Sequence, residues 1–532
     1  MRCVRRAGRT RPAPDPFART ASVPPLHSSP SRAHIEGMTP PTLTENPFTL
    51  GVASGDPLPD SVVLWTRLAP RPHEVGNGLP AQGAGVPVQW ELSADETFRR
   101  VEQNGTVTAP AEDNHTVHLD LCGLDPDRVY WYRFHAGDWT SPVGRTRTAP
   151  EPTALPAEAR FGLLSCQQYD EGYYTALRHL AGEDLDAVFF VGDYIYENAI
   201  DARAGARRLT SPLPAYYDHW LVSLDDYRQR YALGRTDPDL QAAHAAHPWY
   251  VTWDDHEVEN NYAGDISQDN LPVEVFRARR AAAYRAYWEN MPLRRAQRPD
   301  GPAMRLHRRF QYGRLAQFDI LDTRQYRSDQ AYGDGWKYPG PESEDPARTL
   351  TGAEQERWLL DGFRSSSALW NVIPQQVCFA RRKETTEARS KLSMDAWDGY
   401  PASRRRVLAG VEQAGLQNLV VLTGDDHVHY AFDIKKDFDD PKSRTLGVEF
   451  LGTSVSSGFD GEERPDDWST MMAANPHMKY YDGRRGYVVV SFGEERVRAD
   501  FRVLPDGTAP GASVSTAASF VSEAGDPGVK PA

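Results

Sequence analysis

The chain of 532 residues contains no uninterrupted apolar run of about 18, the length a helix needs to cross a bilayer, so nothing in it reads as a transmembrane helix. Cysteine is scarce. Cys3, Cys122, Cys166 and Cys378 form no CxxC pair, no zinc-ribbon spacing and no dense disulfide framework, and their usage leaves the redox compartment open. A basic excess is missing too. The net charge is -14, whereas a nucleic-acid binder usually presents a basic face, which argues against specific nucleic-acid binding through bulk charge. An acidic chain still holds a phosphate where metal ions supply positive charge locally. The first 37 residues lack lysine and have no apolar segment after the arginine-rich "RRAGRTRP". A secretory signal needs that segment, so no signal peptide is legible and residues 1–46 are expected to be a disordered leader.

What is present is an ordinary globular balance, 40% hydrophobic and 25% charged, at a length that suggests two or more domains. Residues 47–148 hold short, Val- and aromatic-rich runs with partial alternation: "SVVLWTRL", "VPVQWELS", "HTVHLDL" and "RVYWYRFHAG". Punctuated by Gly, Pro and Asp, they predict a small antiparallel β-sandwich. "LCGLDPDRVYWYRF" gives that unit a fibronectin type III-like look, and "RTRTAPEPTALPAEA" reads as a linker. Over 159–505 apolar runs alternate with helical stretches. "FGLLS", "AVFFVG", "WYVTW", "LAQFDIL", "WNVIPQ", "LVVLTG", "GVEFLGTS" and "YVVVSF" predict buried strands. "EGYYTALRHLAG", "PVEVFRARRAAAYRAYWENM", "TGAEQERWLLDGFRSS" and "SRRRVLAGVEQAG" predict helices. Thr351 followed by Glu354 suggests a capping box. The alternation argues for an α/β domain. Residues 506–532, rich in Ala, Gly, Ser and Pro, are expected to form a loose tail.

In α/β sheets, sites lie beyond the carboxyl ends of strands. Cys166 follows "FGLLS", Asp193 follows "AVFFVG", Asp254 and Asp255 follow "WYVTW", and Asp425 and His427 follow "VVLTG". Each alone has an ordinary explanation: a buried inert thiol, a helix cap, a solvated loop. Four strand ends carrying such residues are harder to explain by solubility. Carboxylates bridge cations, neutral imidazole suits iron, zinc or manganese, and thiolate or phenolate disfavours magnesium. Such a cluster would bind a phosphate ester and ionise a water for in-line attack.

The order "GDxxY", Asp-His-Glu after a strand, then Gly-Asp-x-His-x-His resembles the calcineurin-type metallophosphoesterases. The forms "SCQQ", "GDYIYE", "WDDHEVENN" and "TGDDHVHY", with "FTLGVASGDPLPDSVVLWTRL", "LDTRQYR" and "TGAEQERWL", resemble the PhoD-type phosphodiesterases over residues 47–505. The resemblance implies two mixed β-sheets flanked by helices in four layers, behind an all-β domain. It implies attack of a metal-bound hydroxide on phosphodiesters and some monoesters, a ferric ion with calcium ions (two expected), and export. Cys166 and Tyr196 would ligate iron, Asp193 would bridge metals, Asp254 or Asp255 with Asn261 would hold calcium, and Asp425 and His427 would complete the cluster. Zinc or manganese are alternatives. The substrate would be a phosphate ester, such as a cell-wall teichoic acid or a phospholipid.

Three further residues are candidates for catalysis. His256 would donate a proton to the leaving group or be structural. His429 would be a ligand, a support for one, or a core histidine. Arg324 would bind substrate phosphate with its planar fork or pair with Asp322. Spacing does not rank Asp254 against Asp255, and Asp426 beside Asp425 leaves that ligand open to a slip of one residue. Loops 198–222 and 328–349 are expected to shape the pocket. Two rivals compete with this reading: a metal-independent cysteine hydrolase using Cys166, and a non-enzymatic wall-binding protein working through the β domain. "TSVSSG" lacks the GxSxG elbow of a serine hydrolase.

Overall fold

A computed structural model describes residues 41–200, 205–207 and 213–532. The expected leader lies, for residues 1–40, outside the described residues, as does part of the 198–222 loop. No helix among the described residues is long and apolar enough to cross a membrane.

Two large sheets form the body. The first has ten strands in the order Asp526–Pro531, Ser515–Glu523, Arg496–Val503, Gly486–Gly493, Glu158–Leu164, Ala187–Phe190, Pro248–Val251, Val52–Leu58, Ser61–Arg67 and Thr116–Cys122. The second has seven, in the order Arg308–Tyr312, Ala316–Ile320, Trp370–Pro374, Leu419–Thr423, Thr445–Leu451, His429–Lys435 and Met478–Asp482. The inner faces meet in a dry core of Phe161, Leu163, Phe189 and Tyr250 from one sheet and Phe310, Phe318, Val420 and Phe450 from the other. Phe318 lies 4.9 Å from Phe161 and 4.8 Å from Phe189, ring centre to ring centre, within the range of favourable aromatic pairs.

Each sheet buries its outer face under helices. On the first sheet Val188, Phe190 and Trp249 pack with residues of helices Thr175–Ala181, Pro238–Ala246 and Val273–Asn290. On the second, Ile373 and Val421 meet Leu359 and Phe363 of helix Gly352–Ser365 and Val407 and Val411 of helix Pro401–Gln413. This two-sided cover explains why the central strands read as unbroken apolar runs rather than alternating ones. All eight expected strands and four expected helices are present. Thr351 does sit at a helix start, but its side chain makes no cap bond there. Instead, Thr349 Oγ1 accepts from Gly352 N at 2.9 Å.

Two expectations need correction. The amino-terminal unit is not a separate sandwich. Strands Val86–Ser93, Val101–Ala109, Val129–Ala136, Trp139–Thr140 and Gly144–Arg147 do form their own five-stranded sheet. The facing strands, however, are the end of the ten-stranded sheet, joined to it where Ser54 and Gly55 pair in parallel with Pro248 and Trp249. "VYWYRFHA" shows strict one-sided burial, whereas "SVVLWTR" is buried on both faces. Trp65 reaches across to donate to Glu289 O at 3.0 Å. Residues 506–532 are not a loose tail. Ser515–Glu523 and Asp526–Pro531 form a hairpin on the edge of the main sheet, burying Phe520, Val521 and Val529. Composition alone misled, because the few apolar side chains of this segment are enough to cover the sheet edge.

Candidate metal centre

Strands Glu158–Leu164, Ala187–Phe190 and Pro248–Val251 run parallel in the first sheet, as do Ala316–Ile320, Trp370–Pro374, Leu419–Thr423 and Thr445–Leu451 in the second. Their carboxyl ends converge, and a bridge between Ser165 and Ser454 ties the two sheets there. The turns that follow are tight. Cys166, Asp193, Asn261, Asp425 and His427 all have positive φ, between 49° and 65°, a costly conformation for non-glycine residues that tends to persist at functional sites. Gly192 and Gly424 make the approach feasible. A Cβ on Gly192 would lie 2.6 Å from Asp254 N, and one on Gly424 would lie 2.6 Å from Ser165 Oγ. The glycine of each "GD" therefore lets one strand end touch the next.

The side chains fall into three overlapping groups with ligand atoms mutually within 4.8 Å: Cys166, Asp193 and His427; Asp193, Asp255 and His256; Asp254, Asp255 and Asp425. Asp193 links the first two and Asp255 the last two. Tyr196 joins the first group, its hydroxyl 3.1 Å from Asp193 Oδ2 and 3.1 Å from His427 Nε2. The Cys166 thiol, 1% exposed, donates to Asp193 Oδ2 at 3.4 Å. Asn261 N donates to Asp255 Oδ2 at 2.7 Å. Both Asp254 and Asp255 thus face the cluster. Asp426 does not: Arg382 grips it with two bonds of 2.7 and 2.8 Å, leaving Asp425 for the cluster.

Several carboxylate oxygens here are buried without a hydrogen-bond partner among the described residues: Asp193 Oδ1, Asp254 Oδ2 and Asp255 Oδ1. Buried anionic oxygens are costly unless a cation or donor meets them. Burial and the neighbouring Asp255 push the Asp193 carboxyl well above its usual range. Burial raises Asp254 to about 6, against the pull of Arg324. Asp255 ends lower than usual despite burial, because Arg324 and His256 stand beside it. Burial and Asp193 raise the Cys166 thiol and the Tyr196 phenol. Burial lowers His427 to about 3, keeping its imidazole neutral. Crowded, desolvated anionic groups beside a neutral imidazole are what a multi-cation site needs, since bound cations invert this pKa logic. The residues fit a metal cluster that includes a thiolate- and phenolate-binding ion.

Two of the expected catalytic residues are placed differently. Arg324 is 0% exposed. It donates to Asp254 through Nε, to Asp395 Oδ1 at 2.8 Å and to Asp425 Oδ1 at 3.4 Å, with Asp255 Oδ1 at 3.6 Å. Its fork is committed to carboxylates and does not face a solvent-borne phosphate, nor does it pair with the Asp322 side chain. His429 lies in a strand, outside all three groups. Thr453 N donates to its Nδ1 at 3.1 Å and its Nε2 donates to Arg502 O at 3.2 Å, so both nitrogens serve the backbone. His256 is in the cluster, held by Glu197, with 2.7 Å between Nδ1 and Oε2.

Sequence reasoning passed over the acids that build the frame. Glu257 accepts from the amides of Asp193, Tyr194 and Asp254, at 3.0, 2.7 and 2.8 Å, binding two ligand turns together. Asp395 accepts from Arg324, Arg327 and Gln330. Glu197 and Glu257 stand inside "GDYIYE" and "DDHEVE", where closeness to candidate ligands was the available signal. Asp395 has no motif.

Comparison with known proteins identifies the family. The family described as PhoD-like phosphatase matches residues 161–501, and its N-terminal domain matches residues 34–150. The chain belongs to the PhoD-like phosphatase family. It is 49% identical to alkaline phosphatase D of Bacillus subtilis (strain 168) over 490 residues, 92% of this chain and 83% of that protein. It superposes on a solved structure titled "Structure of PhoD" with a TM-score of 0.88 at 49% identity, covering 92% of this chain and 93% of that one. Membership at this identity makes the chain a phosphatase-type hydrolase, with mixed sheets and helices behind an N-terminal domain as in that structure.

Proposed function

We propose that this PhoD-like phosphatase is a metal-dependent phosphoesterase acting mainly on diesters, with the three overlapping ligand groups as its active site. The observation that carries this reading is the convergence of Cys166, Asp193, Tyr196, Asp254, Asp255, Asp425 and His427 on one set of strand ends, with Asn261 N on Asp255 Oδ2 and buried carboxylate oxygens unpaired. A ferric ion with two calcium ions suits the donors: thiol, phenol and imidazole on one side, carboxylates and an amide on the other. When bound, the ions supply charge against the phosphate oxygens and acidify the attacking water.

The chain's own residues do the rest. Glu197 is a carboxylate and only accepts, so the Nδ1 proton of His256 points to it and Nε2 is left for substrate. Burial lowers the His256 pKa, but the Glu197 carboxylate at its Nδ1, outside the ligand set, favours the protonated ring. A protonated imidazole there gives its proton to the departing alkoxide. The Tyr196 ring lies tilted by 32° against the His256 ring, 4.2 Å between centres, and restricts its swing. Arg324 holds Asp254 and Asp425 in register.

Loop 328–349 carries Tyr332, Trp336 and Tyr338 exposed at its surface, suited to grip an extended substrate such as a polymeric phosphodiester or a phospholipid. We read the fold as the four-layer metallophosphoesterase arrangement, with the amino-terminal five-stranded sheet packed on the end of its ten-stranded sheet, and the protein as exported. The cysteine-hydrolase alternative is disfavoured: the Cys166 thiol is buried against Asp193, whereas a nucleophilic thiolate needs electropositive surroundings. The test is hydrolysis of bis-p-nitrophenyl phosphate before and after chelation. Activity lost with chelator and regained with metal supports the reading. Activity that survives chelation and dies with a thiol alkylator overturns it.

A further inference from the structure

Asn261 is held from outside the cluster by a segment that carries no ligand. Gln330 Nε2 donates to Asn261 O at 2.8 Å and to Asp395 Oδ1 at 2.7 Å. Asp334 Oδ2 accepts from Asn261 Nδ2 at 2.6 Å. The Asn261 amide can be turned either way about its last torsion, and the two orientations present opposite groups. A carboxylate accepts and cannot donate, so Asp334 fixes the NH2 on its own side. Among the described residues the opposite atom, Asn261 Oδ1, takes no hydrogen bond, while Asn261 N is pinned to Asp255 Oδ2. The Asp334 backbone is itself constrained. It has φ 71°, stands between Gly333 at 74° and Gly335 at 76°, and Gly335 O accepts from Met394 N at 3.0 Å.

We propose that Asp334 is a positioning residue for the divalent-cation side of the cluster: its carboxylate locks the Asn261 side chain so that Oδ1, and not the NH2, is offered to the ion. This rests on the reading of Asn261 as a ligand. Partners that orient ligands in this way commonly account for 10–100-fold in metal affinity.

The experiment measures calcium affinity by competition with a chromogenic chelator, on the full chain, for wild type, Asp334→Ala, Asp334→Asn and Asn261→Ala. Iron content and thermal unfolding of each variant serve as folding controls. Asp334→Ala is expected to weaken calcium binding about 10–100-fold with iron retained. Asp334→Asn keeps an acceptor oxygen for Asn261 and is expected to stay within about threefold of wild type. Loss in Asp334→Asn equal to that in Asp334→Ala would mean that the Asp334 charge acts on the ion directly, and overturns positioning. Loss in Asn261→Ala with none in Asp334→Ala overturns the proposal alone. Unchanged affinity in Asn261→Ala overturns the underlying ligand reading, and the proposal with it.

Discussion

His256 sits between Tyr196 and Glu197, in reach of Asp193 and Asp255, and this setting gives it a specific signature. An acid that protonates a leaving group matters most when that group is a poor one. His256→Asn is therefore expected to slow an alkyl phosphodiester by about 10²–10⁴-fold and a p-nitrophenyl ester far less. Glu197→Gln should follow the same pattern more weakly. Equal losses on both substrates in kcat would contradict the assignment. Which histidine is placed for this role was only partly legible. His256 and His429 both follow strands in motif-like stretches. Only the fold reveals that His429 lies on the strand itself with both nitrogens spent on backbone, edge-on to Phe501. Arg324 was legible as functional in type but not in target, because Asp254, Asp395 and Asp425 reach it from three distant segments.

The ligand turns were the most legible elements. An apolar run that stops at "GD" or "SC" reads as a strand end with candidate ligands, and at the two "GD" turns only glycine fits the contact. Gly192→Ala would place a Cβ 2.4 Å from Asp254 Cβ at φ 121°, so it is expected to abolish metal retention and cut activity at least about 100-fold. Displacing ligands by about 1 Å is enough for that. Gly182→Ala, where the added carbon meets nothing closer than 3.5 Å, is the control and should change stability by no more than about 0.5 kcal/mol. Full activity in Gly192→Ala would show that the turns tolerate a wider spacing. The helices Leu224–Arg235 and Pro238–Ala246 were not foreseen. Arg230 and Arg235 are buried there, Arg235 against the Trp65 ring at 4.2 Å, so an apolar pattern underreports their burial.

At the scale of the molecule, one sheet runs from the amino-terminal strands to the carboxyl-terminal hairpin, which composition did not disclose. Ending the chain at 505 would uncover the edge of Arg496–Val503 and remove the buried Phe520, Val521 and Val529. Each such side chain is worth about 1.5–3 kcal/mol when fully buried, and a bare edge invites pairing. Truncation is expected to lower the unfolding temperature and raise light scattering; an unchanged melt would contradict the structural role. Three buried histidines tie distant segments together: His118 to Leu293 O, His247 to Leu180 O and His477 to Arg381 O. Burial lowers them to about 3, 4 and 4. The unfolded chain protonates them near 6.5, so below that pH it binds more protons than the folded one. Stability should therefore fall between about pH 6.5 and 4. His247→Gln should flatten that slope in urea titrations, and an unaltered slope would count against it.

The central claim is that these strand ends hold a metal cluster with Cys166 and Tyr196 on a ferric ion. The most direct measurement is elemental analysis and the visible spectrum of protein purified without chelator, beside Tyr196→Phe. About one iron per chain, calcium in excess of it, and a charge-transfer band that weakens or shifts in the variant are predicted. Metal-free, colourless protein that hydrolyses phosphodiesters in chelator would contradict the account.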